Sequence, residues 1–179
     1  MLFNGFLFAQ SPCQIDIDVS DSIGTYKNTK QQIIYERSFA GNSNNIYFSL
    51  ANTDGVISLD VQFLQKSEGF IKANCLDANS KIYVQLNNGK IITLLHVGYE
   101  NCGTSIRDAK NFNNRIMSGS FLFVKDNYEE LIKSPVTFIR IKFATETIDY
   151  PLKSEIVSEI DTKKYFPDTY FINNLKCVE

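Results

Sequence analysis

Apolar and polar residues alternate with a period of two along most of this chain, and the clearest run is Val56–Leu64. Ile57, Leu59, Val61 and Phe63 share one parity there, and Ser58, Asp60 and Gln62 share the other. Such a period marks a strand with one buried and one wet face. The same rhythm predicts strands over Gln14–Val19, with Asp16 and Asp18 outward, and over Ile46–Ala51, with Ile46, Phe48 and Leu50 inward. It returns in Val136–Phe143, where Ile139, Ile141 and Phe143 oppose Arg140 and Lys142, and in Thr145–Tyr150. Gln32–Phe39, Phe70–Leu76 and Ser120–Val124 are less regular candidates. Asn52-Thr53-Asp54-Gly55 reads as the turn of one hairpin, and Asp21–Gln31 reads as a loop.

The strongest hairpin signal lies in Ile82–Val97, where Asn88-Gly89 separates two aliphatic runs. Asn-Gly suits a two-residue type I′ turn, which needs φ > 0 at both central positions. That loop would set Ile82 opposite Leu95, Val84 opposite Thr93 and Leu86 opposite Ile91. It would place His96 on the other, less apolar face with Ile92, Leu94 and Tyr83. Carried outward, the same register sets Cys75 opposite Cys102, with Asp77-Ala78-Asn79-Ser80 interrupting the ladder. A cross-strand pair of this kind lies within bridging distance.

Beyond Val97, Gly98–Gly119 is rich in Gly, Asn, Asp and Ser and reads as the longest irregular stretch. Lys125–Lys133 has the charge order of a short helix, with Asp126 as its N-cap and Lys133 late. Lys153–Phe166 fits helix and extended chain equally. Asp168–Cys177 fits a final helix, with Phe171, Ile172 and Leu175 on one face. Nine or ten short strands with turns every 8–12 residues predict a mainly β, antiparallel sandwich, or alternatively a closed barrel. One short helix and a possible C-terminal helix complete it.

Composition adds a compartment. The 179 residues carry a net charge of −2, with 44% hydrophobic and 21% charged residues. These values fit one globular domain over residues 11–179 and offer no general attraction to nucleic acid. Residues 1–10 are apolar and uncharged, too short to span a bilayer, and look like the end of a secretory signal closing at Ala9. No other stretch predicts a transmembrane segment. Cys13, Cys75, Cys102 and Cys177 include no C-x-x-C pair, and His96 is the lone histidine. Common zinc spacings are therefore missing, and secretion would make disulfides reasonable. The hairpin register favours Cys75–Cys102 and leaves Cys13 and Cys177 to pair or stay free.

Candidate chemistry is sparse. His96 has no serine or cysteine nucleophile in a recognisable signature near it. Asp16, Asp18 and Asp21 begin like a calcium loop, but Asp21 and Lys27 stand where Gly and Glu are needed. Asp77, Asn79, Glu100 and Asn101 would gather at the open end of the hairpin as oxygen donors for a hard cation, a weak metal candidate because turns select the same residue types. Carboxylates are plentiful without visible pairing, and no phosphate-cradling loop or dinucleotide fingerprint is present, so no cofactor is expected.

The run from Cys75 through Lys81–Gly89 to Cys102, then Asp126–Lys133, Ile139-Arg140-Ile141 and the terminal Leu175-Lys176-Cys177-Val178, resembles small exported β-rich proteins of Bacteroidota bacteria, a family of unknown function. Phe8-Ala9-Gln10 is similar to signal-peptide ends in that group. The resemblance implies a periplasmic or extracellular setting and carries no activity. The expectation is a non-catalytic extracytoplasmic binding or structural domain with a protein or cell-envelope partner. The alternatives are an envelope-polymer hydrolase using carboxylates in Gly98–Gly119, and a barrel carrying a small apolar ligand.

Overall fold

The computed structural model describes residues 13–124 and 128–179. The signal-like segment over residues 1–10 and the Asp126 cap lie outside the described residues. Among the described residues, thirteen strands follow in chain order: β1 (Ile15–Ser20), β2 (Thr25–Thr29), β3 (Gln32–Phe39), β4 (Asn42–Thr53), β5 (Val56–Ser67), β6 (Lys81–Leu86), β7 (Ile91–Val97), β8 (Thr104–Arg107), β9 (Asn113–Phe123), β10 (Val136–Lys142), β11 (Thr147–Pro151), β12 (Ile156–Val157) and β13 (Lys164–Tyr165). A 3₁₀ turn spans Tyr128–Ile132. Near the C-terminus, α1 (Tyr170–Asn174) continues into a further 3₁₀ turn at Leu175–Val178.

Eleven strands form one antiparallel sheet, whose main path runs β1-β2-β4-β5-β9-β7-β6-β10-β11. β3 adds to β4 beside β2, and β8 adds to β9 beside β7. β12 and β13 form a separate two-stranded ribbon. The sheet curls so that its inner face closes on one core, drawn from Phe48, Leu59, Val84, Phe121, Ile139 and the helical Tyr170 and Phe171. Burial of each such side chain contributes about 1.5–3 kcal/mol. β3 and β11 meet across the core through Tyr35 and Tyr150, edge to face with ring centroids 5.1 Å apart. Side chains make that contact, without a hydrogen-bonded ladder between β3 and β11. The architecture is therefore the open, sandwich-like β fold, and the closed-barrel alternative is set aside.

The central alternation predicts the core faces correctly, and the differences lie at turns and edges. The Asn88-Gly89 hairpin turns one residue differently from the type I′ expectation. Gly89 N–H donates to Leu86 O and Leu86 N–H to Lys90 O, while only Gly89 of the pair takes a positive φ, +87°. This is the three-residue connection with a glycine bulge, and it pairs Ile82 with Leu94 and Val84 with Ile92. A slip of one residue exchanges faces. His96 consequently sits on the core side, 8% exposed, where the type I′ register would put it on the less apolar face.

Other corrections follow from pairing that is invisible locally. β1 is the predicted strand but has no buried face: it lies at the sheet edge, with Ile17 42% and Val19 47% exposed. The predicted loops at Asp21–Gln31 and Gly98–Gly119 contain β2, β8 and the first part of β9, because long β4 and β9 offer edges to pair with. Phe70–Leu76, by contrast, forms no strand beyond an isolated bridge between Leu76 and Asn101. The helix predicted over Lys125–Lys133 is the shorter 3₁₀ turn at Tyr128–Ile132 in its described part. Disulfides join Cys75 to Cys102 and Cys13 to Cys177. Such bridges suit an oxidising setting outside the cytoplasm. Among the described residues no helix is long and apolar enough to cross a membrane.

Candidate functional site

The registers of β4, β5, β9 and β7 line up in transverse rows, and these rows build the site. Leu50, Leu59, Phe121 and His96 are directly opposed across the four strands and face the core. The neighbouring row, Ser49, Asp60, Ser120 and Val97, therefore faces outward. The next row on that outer face sets Gln62 opposite Ser118. Alternation thus gathers hydroxyl, amide and carboxylate groups from separate strands on the outer surface. Val97–Asn101 overhangs this floor from one side and the β2–β3 region, with Asn28 and Gln31, from the other. Together they bound a polar cleft of about 540 Å³.

Hydrogen bonds hold its walls. The Ser120 hydroxyl donates to Asp60 Oδ1 at 2.5 Å. β7 pairs with β9 at Ser120–Phe123 and β8 pairs at Asn113–Ile116, which leaves Met117–Gly119 without a strand on that edge. Asn101 fills the interruption: its Nδ2 donates to Ser118 O at 2.8 Å, and its Oδ1 accepts from Gly103 N–H at 2.8 Å. His96 borders the cleft at this same interruption. Its Nδ1 lies 2.9 Å from Asp77 O. A carbonyl only accepts, so Nδ1 is the nitrogen that donates.

The residues proposed from the sequence as cation ligands make the following contacts. The hairpin ends do come together, through paired backbone hydrogen bonds between Leu76 and Asn101. Asp77 Oδ1, however, accepts from Asn79 N–H and the Ser80 hydroxyl, each at 2.9 Å. The Ser80 hydroxyl chiefly, with the Asn79 and Ser80 N–H groups, outweighs desolvation and holds the Asp77 carboxyl below its ordinary range. Asn101 is committed to the cleft wall. Among the described residues Cys75, Glu100 and Cys102 lie close enough for one ion. The disulfide removes both sulfurs as thiolate ligands.

The alternative chemistries fare as follows. Asp108, a carboxylate of the irregular stretch, closes the β8–β9 turn. Burial acts to raise its pKa, but hydrogen bonds from Asn114, Phe112 and Lys110, with the Lys66 ammonium, leave it lowered. The interior is filled by aromatic and aliphatic side chains, and a small cavity beside Asn74 and Arg115 measures about 10 Å³, room for a water and not for an apolar ligand. The cleft itself escapes prediction from the sequence, because Ser49, Asp60 and Gln62 read there as the wet faces of ordinary strands, Ser118 falls in the stretch that reads as irregular, and Ser120 opens a short apolar strand. Their parity is the only signal the sequence offers, and it takes the strand order to turn it into a site. Comparisons with family models, curated proteins and solved structures find no match for this chain.

Proposed function

We propose that this chain is a non-catalytic, extracytoplasmic binding module that takes a polar ligand in the outer cleft of β4, β5 and β9. The observation that carries the reading is the row of Ser49, Asp60 and Ser120 beside Gln62 and Ser118, roofed by Val97–Asn101. Sites of this kind fix a ligand through a few placed polar groups in a concavity that is already formed. Internal hydrogen bonds pre-set Asp60 and Asn101, which lowers the ordering cost on binding. Export is part of the proposal, supported by two disulfides and by the resemblance to exported Bacteroidota proteins.

The test adds soluble cell-envelope polymer to the labelled protein, records amide shifts and follows polymer length. Saturable shifts confined to Val97–Asn101 and Ser118–Ser120, with polymer length unchanged, are the expected outcome. Shortened polymer would make the protein a hydrolase. Shifts confined to other surfaces would remove the cleft as the site.

A further inference from the structure

We infer that the cleft is built for a neutral saccharide, a ligand presenting adjacent hydroxyls from a pyranose ring. The inference rests on the cleft being the binding site and names the chemistry of what it holds. Charge supplies the first step. Asp60 is the single carboxylate on the lining, and neither lysine nor arginine is among the lining residues. A phosphate, sulfate or uronate would meet a fixed negative charge with no guanidinium or ammonium to pair it. Anionic polymers are disfavoured on that ground, nucleic acid included.

Hydrogen-bonding capacity supplies the second step. Gln31 and Gln62 each offer a donor and an acceptor from one planar group, and Asn28, whose Oδ1 accepts from Ile17 N–H, adds its Nδ2 as a donor. Each hydroxyl of a diol likewise donates and accepts, so neighbouring hydroxyls match these amides in pairs. Asp60 spends Oδ1 on Ser120 and, among the described residues, has no side-chain or backbone donor on Oδ2. That oxygen is a charged acceptor for a ligand hydroxyl, stronger than a neutral one.

Tyr99 supplies the third. It lines the cleft, 95% exposed, on a loop fixed by Asn101 and by the Cys75–Cys102 bridge. An aromatic ring left in water beside a polar cleft offers a flat apolar face, and the C–H face of a pyranose is the complement that a polyol also carries. An apolar peptide anchor finds little here, because Val97 is the lone aliphatic side chain on the lining.

The test titrates the disulfide-intact protein with neutral oligosaccharides of glucose, mannose and N-acetylglucosamine, an oligouronate, and hydrophilic peptides of matched size. Amide shifts and calorimetry are the readouts. The expected result is saturable movement of Gly98–Asn101 and Ser118–Ser120 with at least one neutral saccharide. Asp60→Asn, which keeps an acceptor for Ser120, and Tyr99→Ala should each weaken it by about tenfold while the protein stays folded. The oligouronate should bind at least about tenfold more weakly than the neutral chain. If peptides or the oligouronate move these amides and no neutral saccharide does, the saccharide assignment falls while the cleft remains a binding site. If none of these ligands moves them, both fall. Tyr99 is exposed and Asp60→Asn is isosteric, so unaltered affinity in both variants overturns the assigned contacts.

Discussion

Cys13–Cys177 and Cys75–Cys102 are both cross-links, but they stand in opposite surroundings. The first spans 164 residues and ties the start of β1, an edge strand that buries little, to a buried C-terminal turn. That turn is held independently: Asn52 Nδ2 donates to Val178 O at 2.6 Å, and Tyr170 and Phe171 pack on Phe48. The second spans 27 residues and joins two segments that already pair through Leu76 and Asn101, the residue that seals the cleft wall. One bond substitutes for missing burial. The other stiffens a loop that borders the cleft.

The largest expected effect is removal of the long bridge. In the chain-entropy picture, closing a loop of this length stabilises by about 5 kcal/mol, so Cys13→Ser with Cys177→Ser should cost close to that in denaturant unfolding. Amide exchange should rise first in β1 and β2 while the cleft stays ordered. Loss of protection over Val97–Gly103 before β1 would break the comparison.

Removal of the short bridge comes next, at about 3.5 kcal/mol for Cys75→Ser with Cys102→Ser. Exchange should quicken over Val97–Gly103 with β1 unchanged, and any ligand of the cleft should bind more weakly. Equal loosening of β1 in this variant would mean that the two bridges act as one global restraint.

Gly103→Ala reaches the same loop without touching a sulfur. Gly103 has φ +71°, and a Cβ there would collide with the Ile116 carbonyl and the Met117 Cβ. Both the left-handed backbone and the steric conflict penalise a side chain, by about 2 kcal/mol together. The expected outcome is a milder version of the short-bridge variant, seen as a lower melting temperature and faster exchange at Asn101 and Gly103. A variant as stable as the parent would show that the loop is free to relax, and that Asn101 is not held by its neighbours.

The contrast between the two bridges also explains which parts of the molecule are legible in the sequence. The cores of β4, β5 and β10 follow directly from parity, because a strand between two partners has little choice of face. The Cys75–Cys102 proximity is visible too, although the type I′ register that points to it is one residue out. The interrupted ladder restores the offset, since Leu76 pairs with Asn101 although Ile82 pairs with Leu94. His96 has no such interruption between itself and the turn, and the same slip puts it on the wrong face. Edge position is what parity lacks. Ile17 and Val19 alternate as cleanly as Leu59 and Val61 but end half-exposed, because nothing in a strand's own residues says whether a neighbour covers it. The cleft is hidden for a related reason. Its floor joins β5 to β9, strands that are not consecutive, and Asp60 meets Ser120 across 60 residues of chain.

The smallest expected effect is acid loosening at the short bridge. Asp77 follows Leu76 directly, accepts from Ser80 and Asn79 through its carboxylate, and offers its carbonyl to His96 Nδ1. The Ser80 hydroxyl is the largest cause of its lowered pKa, which lies below the ordinary 3.8. A lowered folded-state pKa means that the stabilisation is fully present above the unfolded value and is lost as pH falls through the folded one. Because the carboxylate is open to solvent, screening weakens the effect and the change should be local. Followed by amide shifts from neutral pH down through the carboxylate range, Asn79 and Ser80 should move together, and the His96 ring should follow as the Asp77 carbonyl shifts. Asp77→Asn should abolish the acid step while keeping the turn's acceptor. An unchanged step in that variant would assign it to another carboxylate, and would leave the Cys75–Cys102 end of the molecule as insensitive to acid as its covalent bond alone would make it.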